Sequence, residues 1–550
     1  KIFLDRLKVT PLSLAVSGLA GLIVLHLLLH EMVIGGIDRF IGAFMVLTTA
    51  VGFVLPRRVL VTAFPYQVFI FGLLAVWGLV QHLGGAAYVV EMGGRANSIF
   101  TTPNSFAAAI NLVNIVLITL YLAGRLPRYG LAVILLLFAG LLATESRGGW
   151  ISFGGAMVLL ALLNYWLGNR IERRKLFALA AGMVVLITAY TANHVFEFNI
   201  VDRESREVDT EELNRAVERF PLMNMASSGS HRLRIYRDGW ELIQEKPWLG
   251  HGFMTFGDHY PRVQSDDYDH TVIFAHNDYL QFWAEMGLLG LLLVLAVIAA
   301  VYWQSWRVWQ VISEDQKPVL MGLVVALSAY YAHALVDFVF YVPALFLVAA
   351  SYMGYVNQLS REQATIAVIH PGRWLTPRLI TLAKVLLFIV PGWLLFEPAL
   401  AQVVAHAGER LEREGRTEQA VSLYGLAQSL APNEPEYYRR EAAYWLKEAD
   451  QSPVSERLAN ALELYRRAAE RNPFDLQSRF DLAFYNVRFR DRLADPAEAA
   501  QIRAWLEYVM QQRPWDEELA QRARDLLAQL VEQPGPALPV GQSGEDDGQD

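Results

Sequence analysis

Cysteine is absent from all 550 residues, so disulfides, thiolate metal ligands and thiol nucleophiles are excluded. That absence is compatible with an oxidising compartment without requiring one. Charge is scarce too. Only 19% of positions are Asp, Glu, Lys or Arg, and the formal net charge is -8. No basic surplus points to nucleic acid as a partner. Phosphate loops of the nucleotide-binding kind are also missing. Gly148-Gly149 and Gly250-His251-Gly252 read as tight turns or close helix packing, the ordinary use of glycine.

What the chain has is apolar length. Hydrophobic residues make up 54% of it, and they are blocked together. Runs of about 20 such residues, each able to cross roughly 30 Å of hydrocarbon as a helix, recur along the chain. They lie at about 13–33, 37–55, 60–82, 104–123, 129–145, 150–168, 175–194, 280–303, 318–337, 340–357 and 378–399. They predict an all-α, polytopic membrane domain over residues 1–402 with about 11 (10–12) transmembrane helices. The first residue is Lys1, and the first span reads as a retained anchor.

Orientation follows from Lys and Arg in the short loops. Lys1, Arg6 and Lys8 precede the first run, Arg57 and Arg58 the third, Arg125 and Arg128 the fifth, and Arg170, Arg173, Arg174 and Lys175 the seventh. Arg307, Lys317, Arg361, Arg373 and Arg378 continue the alternation. This register puts the N-terminus in the cytoplasm and the C-terminal region outside the membrane.

Several outward segments, including the large loop 195–279, then hold arginines that the positive-inside trend does not explain. They are Arg95, Arg147, Arg203, Arg206, Arg215, Arg219, Arg232, Arg234, Arg237 and Arg262. A guanidinium presents a planar fork of donors that fits phosphate oxygens and stays charged at physiological pH. A pyrophosphate at the outer membrane surface is a fitting partner. Headgroup contacts, or ion pairs with neighbours such as Glu145, are the competing use of any one of them.

The segment His276-Asn277-Asp278-Tyr279-Leu280-Gln281-Phe282-Trp283-Ala284-Glu285-Met286-Gly287 carries an imidazole into the mouth of an apolar run. Further fragments precede it in order. They are Arg95 to Asn104, Glu145-Ser146-Arg147-Gly148-Gly149, Arg232 with Ile235-Tyr236, and Pro247-Trp248-Leu249-Gly250-His251-Gly252. Together they resemble the O-antigen ligase superfamily over residues from about 90 to 357. That group holds O-antigen ligases, O-antigen and exopolysaccharide polymerases, and bacterial O-linked oligosaccharyltransferases.

The resemblance implies a class C glycosyltransferase-like membrane fold in the bacterial inner membrane. It implies transfer of a glycan from an undecaprenyl-diphosphate carrier to an acceptor hydroxyl on the periplasmic side, with no cofactor and no obligatory metal. Displacing the carrier develops negative charge on the leaving diphosphate, which fixed cations stabilise. Arg147 and Arg232 are carried over for that task, with Arg95 as a further phosphate ligand. An acceptor hydroxyl needs a positioned base. His276 is the expected one, because an unperturbed imidazole titrates near pH 6.5 and accepts a proton while neutral. A single direct attack inverts the anomeric centre. Asn277 is expected to orient His276 or the acceptor, and Glu285 to hold a histidine tautomer or cap a helix end. His251 and His231 are the alternatives to His276. Asp266-Asp267-Tyr268-Asp269-His270 is a rival, metal-type cluster, but it has no second spaced ligand group and reads as a solvated turn.

After residue 402 the pattern becomes that of amphipathic soluble helices. Ala420-Val421-Ser422-Leu423-Tyr424 aligns with Ala461-Leu462-Glu463-Leu464-Tyr465, and Pro432, Pro473 and Pro514 fall 41 residues apart. Residues 403–533 resemble tetratricopeptide repeats, which implies either a surface for a protein or glycan partner or a purely structural cap on the membrane domain. Residues 534–550 read as a disordered tail. Glycan polymerase or ligase is the leading function. Protein O-glycosylation is the second, and a lipid-linked sugar transporter or flippase the third. A transporter places polar groups along the middle of its spans, whereas here they gather in the outward loops.

Overall fold

The computed structural model describes residues 10–29, 36–83, 95–168, 171–196, 225–265, 272–363, 377–451, 455–472, 474–488, 496–513 and 516–531. Among the described residues every regular element is helical. They divide into two compact units, one drawn from residues 1–29, 38–257 and 272–395, the other from 30–37, 258–271 and 396–550.

All eleven apolar runs coincide with helices. In the first unit these are α1 (Pro11–Leu29), α2 (Gly36–Val54), α3 (Arg57–Leu83), α4 (Pro103–Leu122), α5 (Gly130–Ala143), α6 (Arg147–Trp166) and α7 (Arg173–Phe196). After α8 (Met225–Glu245) come α9 (Asp278–Trp309), α10 (Lys317–His333), α11 (Pro343–Glu362) and α12 (Pro377–Arg413), and the boundary between the units falls within α12. Among the described residues seven helices are long and apolar enough to cross a membrane, namely α1, α3, α4, α6, α7, α9 and α12. Helix α5 is apolar but spans only 14 residues, and α10 only 17. The chain is a polytopic membrane protein. Helix α8 arises inside the loop that carries no apolar run; its residues 225–245 form an amphipathic helix packed on α9.

Hydropathy does not rank the helices by depth, but packing does. Helix α4 is buried along almost its whole length, whereas α3 and α7 expose most of their apolar surface, as helices facing lipid do. Its small residues Ala107, Ala108 and Ala109 admit close neighbours. Thr102 caps α4 by accepting from the Ser105 N–H at 3.1 Å, and Pro103 occupies the first turn, where its missing N–H costs nothing. Lower down, Asn111 donates from Nδ2 to the Gly149 carbonyl at 2.9 Å and to Ser152 Oγ at 3.1 Å. Those bonds tie the start of α6 to the central helix.

Helix α9 is broken at Gly287, where φ is 67° and ψ is -173°. A Cβ at this position would stand 2.1 Å from the Trp248 carbonyl carbon, so only glycine admits the chain that docks there. The break frees backbone groups that the 247–252 segment then satisfies. Leu288 N donates to Pro247 O at 2.8 Å, His251 N to Ala284 O at 3.0 Å, and Gly252 N to Glu285 O at 2.8 Å. Residues 278–286 thus form a short helix separated from the long apolar one that follows.

In the second unit the amphipathic segments form α13 (Thr417–Leu430), α14 (Pro435–Gln451), α15 (Ser455–Arg471), α16 (Leu476–Arg488), α17 (Pro496–Gln512) and α18 (Glu517–Val531), each packed on the next. The aligned positions Ala420, Tyr424 and Ala427 are buried, as are Ala461, Tyr465 and Ala468, and so are Ile502, Leu506 and Val509. Repetition in the sequence is therefore repetition of core positions. Pro473, Pro514 and the tail 534–550 lie outside the described residues, as do Arg203, Arg206, Arg215 and Arg219. His259 packs edge-on against Phe474, with ring centroids 4.7 Å apart, so part of the large loop belongs to this unit.

Candidate active site

His276 sits just before α9 with φ of 51°, the left-handed region that costs a non-glycine residue roughly 1–2 kcal/mol. Neighbouring bonds hold it there. Tyr236 of α8 donates its hydroxyl to the His276 carbonyl at 2.8 Å. On the other side, Ala275 N donates to Gln281 Oε1 at 3.0 Å and Asp278 N to Ala334 O at 2.9 Å. Phe340 N returns a bond to Asp278 Oδ2 at 2.9 Å. Segment 275–281 is thereby laced to the 334–340 connection between α10 and α11.

That lacing brings Asp337 to the imidazole. Its Oδ1 lies 3.1 Å from His276 Nδ1 and also accepts from Phe338 N at 3.0 Å. The Asp337 side chain is 3% exposed and that of His276 32%. Burial pushes the Asp337 carboxyl up, but the hydrogen bond and charge of His276, with the charges of His333 and Arg232, outweigh it and hold the group down at about 2. Asp337 is a carboxylate at any physiological pH. A carboxylate only accepts, so Nδ1 is the donor, and in the neutral His276 ring Nε2 keeps its lone pair. The arrangement is that of an oriented base. Phe338 meets the His276 ring edge-on at 5.3 Å between centroids, and stacks on Phe274 at 4.3 Å.

The cations gather beside this pair. Arg232 of α8 interacts electrostatically with Asp337, Tyr236 and Arg95, and Arg95 in turn with Arg147. Burial lowers the Arg95 guanidinium's affinity for its proton, while Glu145 and Asp337 raise it. Among the described residues of this group, three guanidiniums face the two carboxylates Glu145 and Asp337, a surplus of one positive charge. Such a surplus attracts an anion. Arg147 opens α6, whose N-cap Ser146 accepts from Gly149 N at 3.1 Å. The turn before it is left-handed at Glu145, with φ of 52°.

Arg95 is anchored to that turn. Its Nε donates to Thr144 O at 3.0 Å, and Nη2 to Asn104 Oδ1 at 3.1 Å and Glu145 O at 3.4 Å. Asn277 is a helix cap, accepting from the N–H groups of Tyr279 and Leu280 at 3.1 Å each. Glu285 is buried and surrounded by donors: Met254 N at 2.9 Å, Phe256 N at 3.3 Å, Gln281 Nε2 at 2.9 Å and Tyr341 OH at 2.8 Å. Its oxygens hold the 250–256 segment against α9. His251 is buried, with Nε2 2.9 Å from the Leu242 carbonyl and 3.5 Å from Glu245. His231 lies one residue before Arg232 on α8. The acidic cluster 266–270 lies outside the described residues.

Three residues of the site have no counterpart among the sequence expectations: Asp337, His333 and Tyr236 as the anchor of the His276 backbone. For Asp337 the signal was present, an acid at the outer end of an apolar run, but nothing in the sequence paired it with His276. No curated protein matches the chain. The family model described as O-Antigen ligase matches residues 132–295, a stretch that holds Glu145, Arg147, Arg232, His276 and Glu285. Residues 132–295 are therefore a domain of the O-antigen ligase family, which supports a glycan-transfer role in general.

Proposed function

We propose that this protein transfers a glycan from an undecaprenyl-diphosphate carrier to an acceptor hydroxyl at the outer face of the bacterial inner membrane. The observation that carries the reading is the His276–Asp337 pair, 3.1 Å apart, beside Arg95, Arg147 and Arg232. His276 Nε2 takes the proton of the acceptor hydroxyl as its oxygen attacks the anomeric carbon. The bond from that carbon to the diphosphate oxygen breaks, and the configuration inverts. Arg147 and Arg232 bind the departing diphosphate, whose charge grows as the bond breaks. Arg95 fixes the 144–147 turn and completes the positive field. Basic residues in alternate loops support a cytoplasmic N-terminus and helical repeats on the outer side. Those repeats support a second reading of the acceptor: stacked helix pairs dock a protein, which makes protein O-glycosylation the alternative to a glycan or lipid-core acceptor.

The test is product analysis with purified full-length protein and a defined undecaprenyl-diphosphate glycan, offered in turn a glycan, a lipid core and an extracytoplasmic protein. Chain lengthening identifies a polymerase, a single transfer to lipid core or glycan a ligase, and a glycosylated protein the alternative. Donor carried across a membrane without any transfer overturns the reading in favour of transport.

A further inference from the structure

His333 ends α10 and is buried, yet neither ring nitrogen meets a hydrogen-bond partner among the described residues. A buried imidazole without a partner has given up its hydration for nothing. Four residues on, Asp337 shows the complementary feature. Its Oδ1 serves His276 and Phe338 N, while Oδ2 is buried and unpartnered among the described residues. The ring supplies a donor and the carboxylate oxygen an acceptor, and the two groups interact electrostatically. Against the ring lies Gly148, next to Arg147. A Cβ there would lie 2.9 Å from His333 Nε2 and 3.0 Å from Cδ2, so the bare glycine makes room for the imidazole.

We propose that His333 is a positioning residue of the transfer site: its ring donates a hydrogen bond to Asp337 Oδ2, directly or through one water, and so keeps Oδ1 on His276 Nδ1. This inference rests on the glycan-transfer reading above and deepens it. Without a second bond, the carboxylate is free to turn about its Cβ–Cγ axis and loosen the His276 ring. With it, both oxygens are engaged and the base points one way. His333 exchanges no proton with the substrate, and the bonds made and broken are those already given.

The test is a double-mutant cycle on turnover in the full chain, using wild type, His333→Leu, Asp337→Asn and the two combined, with His333→Gln as the variant that keeps a donor. His333→Leu is expected to lower kcat about tenfold, a fraction of what a general base supplies, with the donor KM unchanged. His333→Gln recovers most of the loss. In the Asp337→Asn background His333→Leu costs nothing more, because both act through one carboxylate. Multiplicative losses in the double variant overturn the proposal. So does a Gln variant as impaired as Leu, or a Leu variant with normal kcat. Should Leu yield no folded protein, His333→Phe, which keeps the ring volume, replaces it in the cycle. Retained turnover in His276→Ala marks failure of the underlying reading, whereas multiplicative losses with an inactive His276→Ala mark failure of this one alone.

Discussion

Replacing Asp337 by Asn removes one charge from a buried contact and leaves the shape nearly unchanged. The carboxylate is 3% exposed and its Oδ1 is 3.1 Å from His276 Nδ1. It contributes twice. It accepts from Nδ1, leaving Nε2 free for the acceptor proton, and it stabilises the imidazolium that forms as that proton arrives. A hydrogen bond to a charged group is worth about 1.5–3 kcal/mol. At about 1.4 kcal/mol per tenfold, that is a loss in kcat of roughly 10- to 150-fold. An amide can also turn its NH2 toward the ring and favour the wrong tautomer, which places the expected loss near the upper end, about 100-fold. The assay is steady-state transfer from a defined lipid-linked donor, with donor binding measured separately and expected to stay close to wild type. A carboxyl held down at about 2 contributes stability that is fully present above its ordinary value of 3.8 and is lost as pH falls through about 2. Between pH 5 and 8 Asp337 does not titrate, so a loss of turnover on acidification in that window does not come from it. Near-normal kcat in Asp337→Asn would refute the reasoning.

Arg147→Lys and Arg232→Lys keep the charge but lose the planar fork, and each is expected to lower turnover at least about tenfold in the same assay; normal turnover in both, with normal expression, removes them from the diphosphate site. Gly287→Ala puts a methyl carbon 2.1 Å from the Trp248 carbonyl carbon, at a φ of 67°, so the yield and thermal stability of folded protein should fall sharply; a wild-type melting curve contradicts the account of the broken helix.

How much of this was legible in the sequence differs from residue to residue. The apolar runs marked the eleven helices because hydropathy acts along the chain, and the buried Ala420, Tyr424 and Ala427 were legible because the same spacing returns at Ala461, Tyr465 and Ala468. His276 and Arg147 stood out through their flanking residues. Asp337 did not pair with His276 on the page, since 61 residues separate them and only the bonds lacing 275–281 to 334–340 bring them together. Asn277 and Glu285 show the opposite limit. A sequence gives the acceptor but not what it accepts from, and both turn out to serve the backbone of their own fold. Helix α8 was hidden because its apolar face is too narrow to form a run, although it carries Arg232 and Tyr236.

The central claim is that His276 is the base that takes the acceptor proton, and His276→Ala tests it most directly. Transfer and donor binding should be measured on the same purified, folded protein. The account predicts that transfer is abolished while the lipid-linked donor still binds, because affinity rests on the arginines and the polyprenyl tail. A His276→Ala protein that keeps most of its turnover contradicts it.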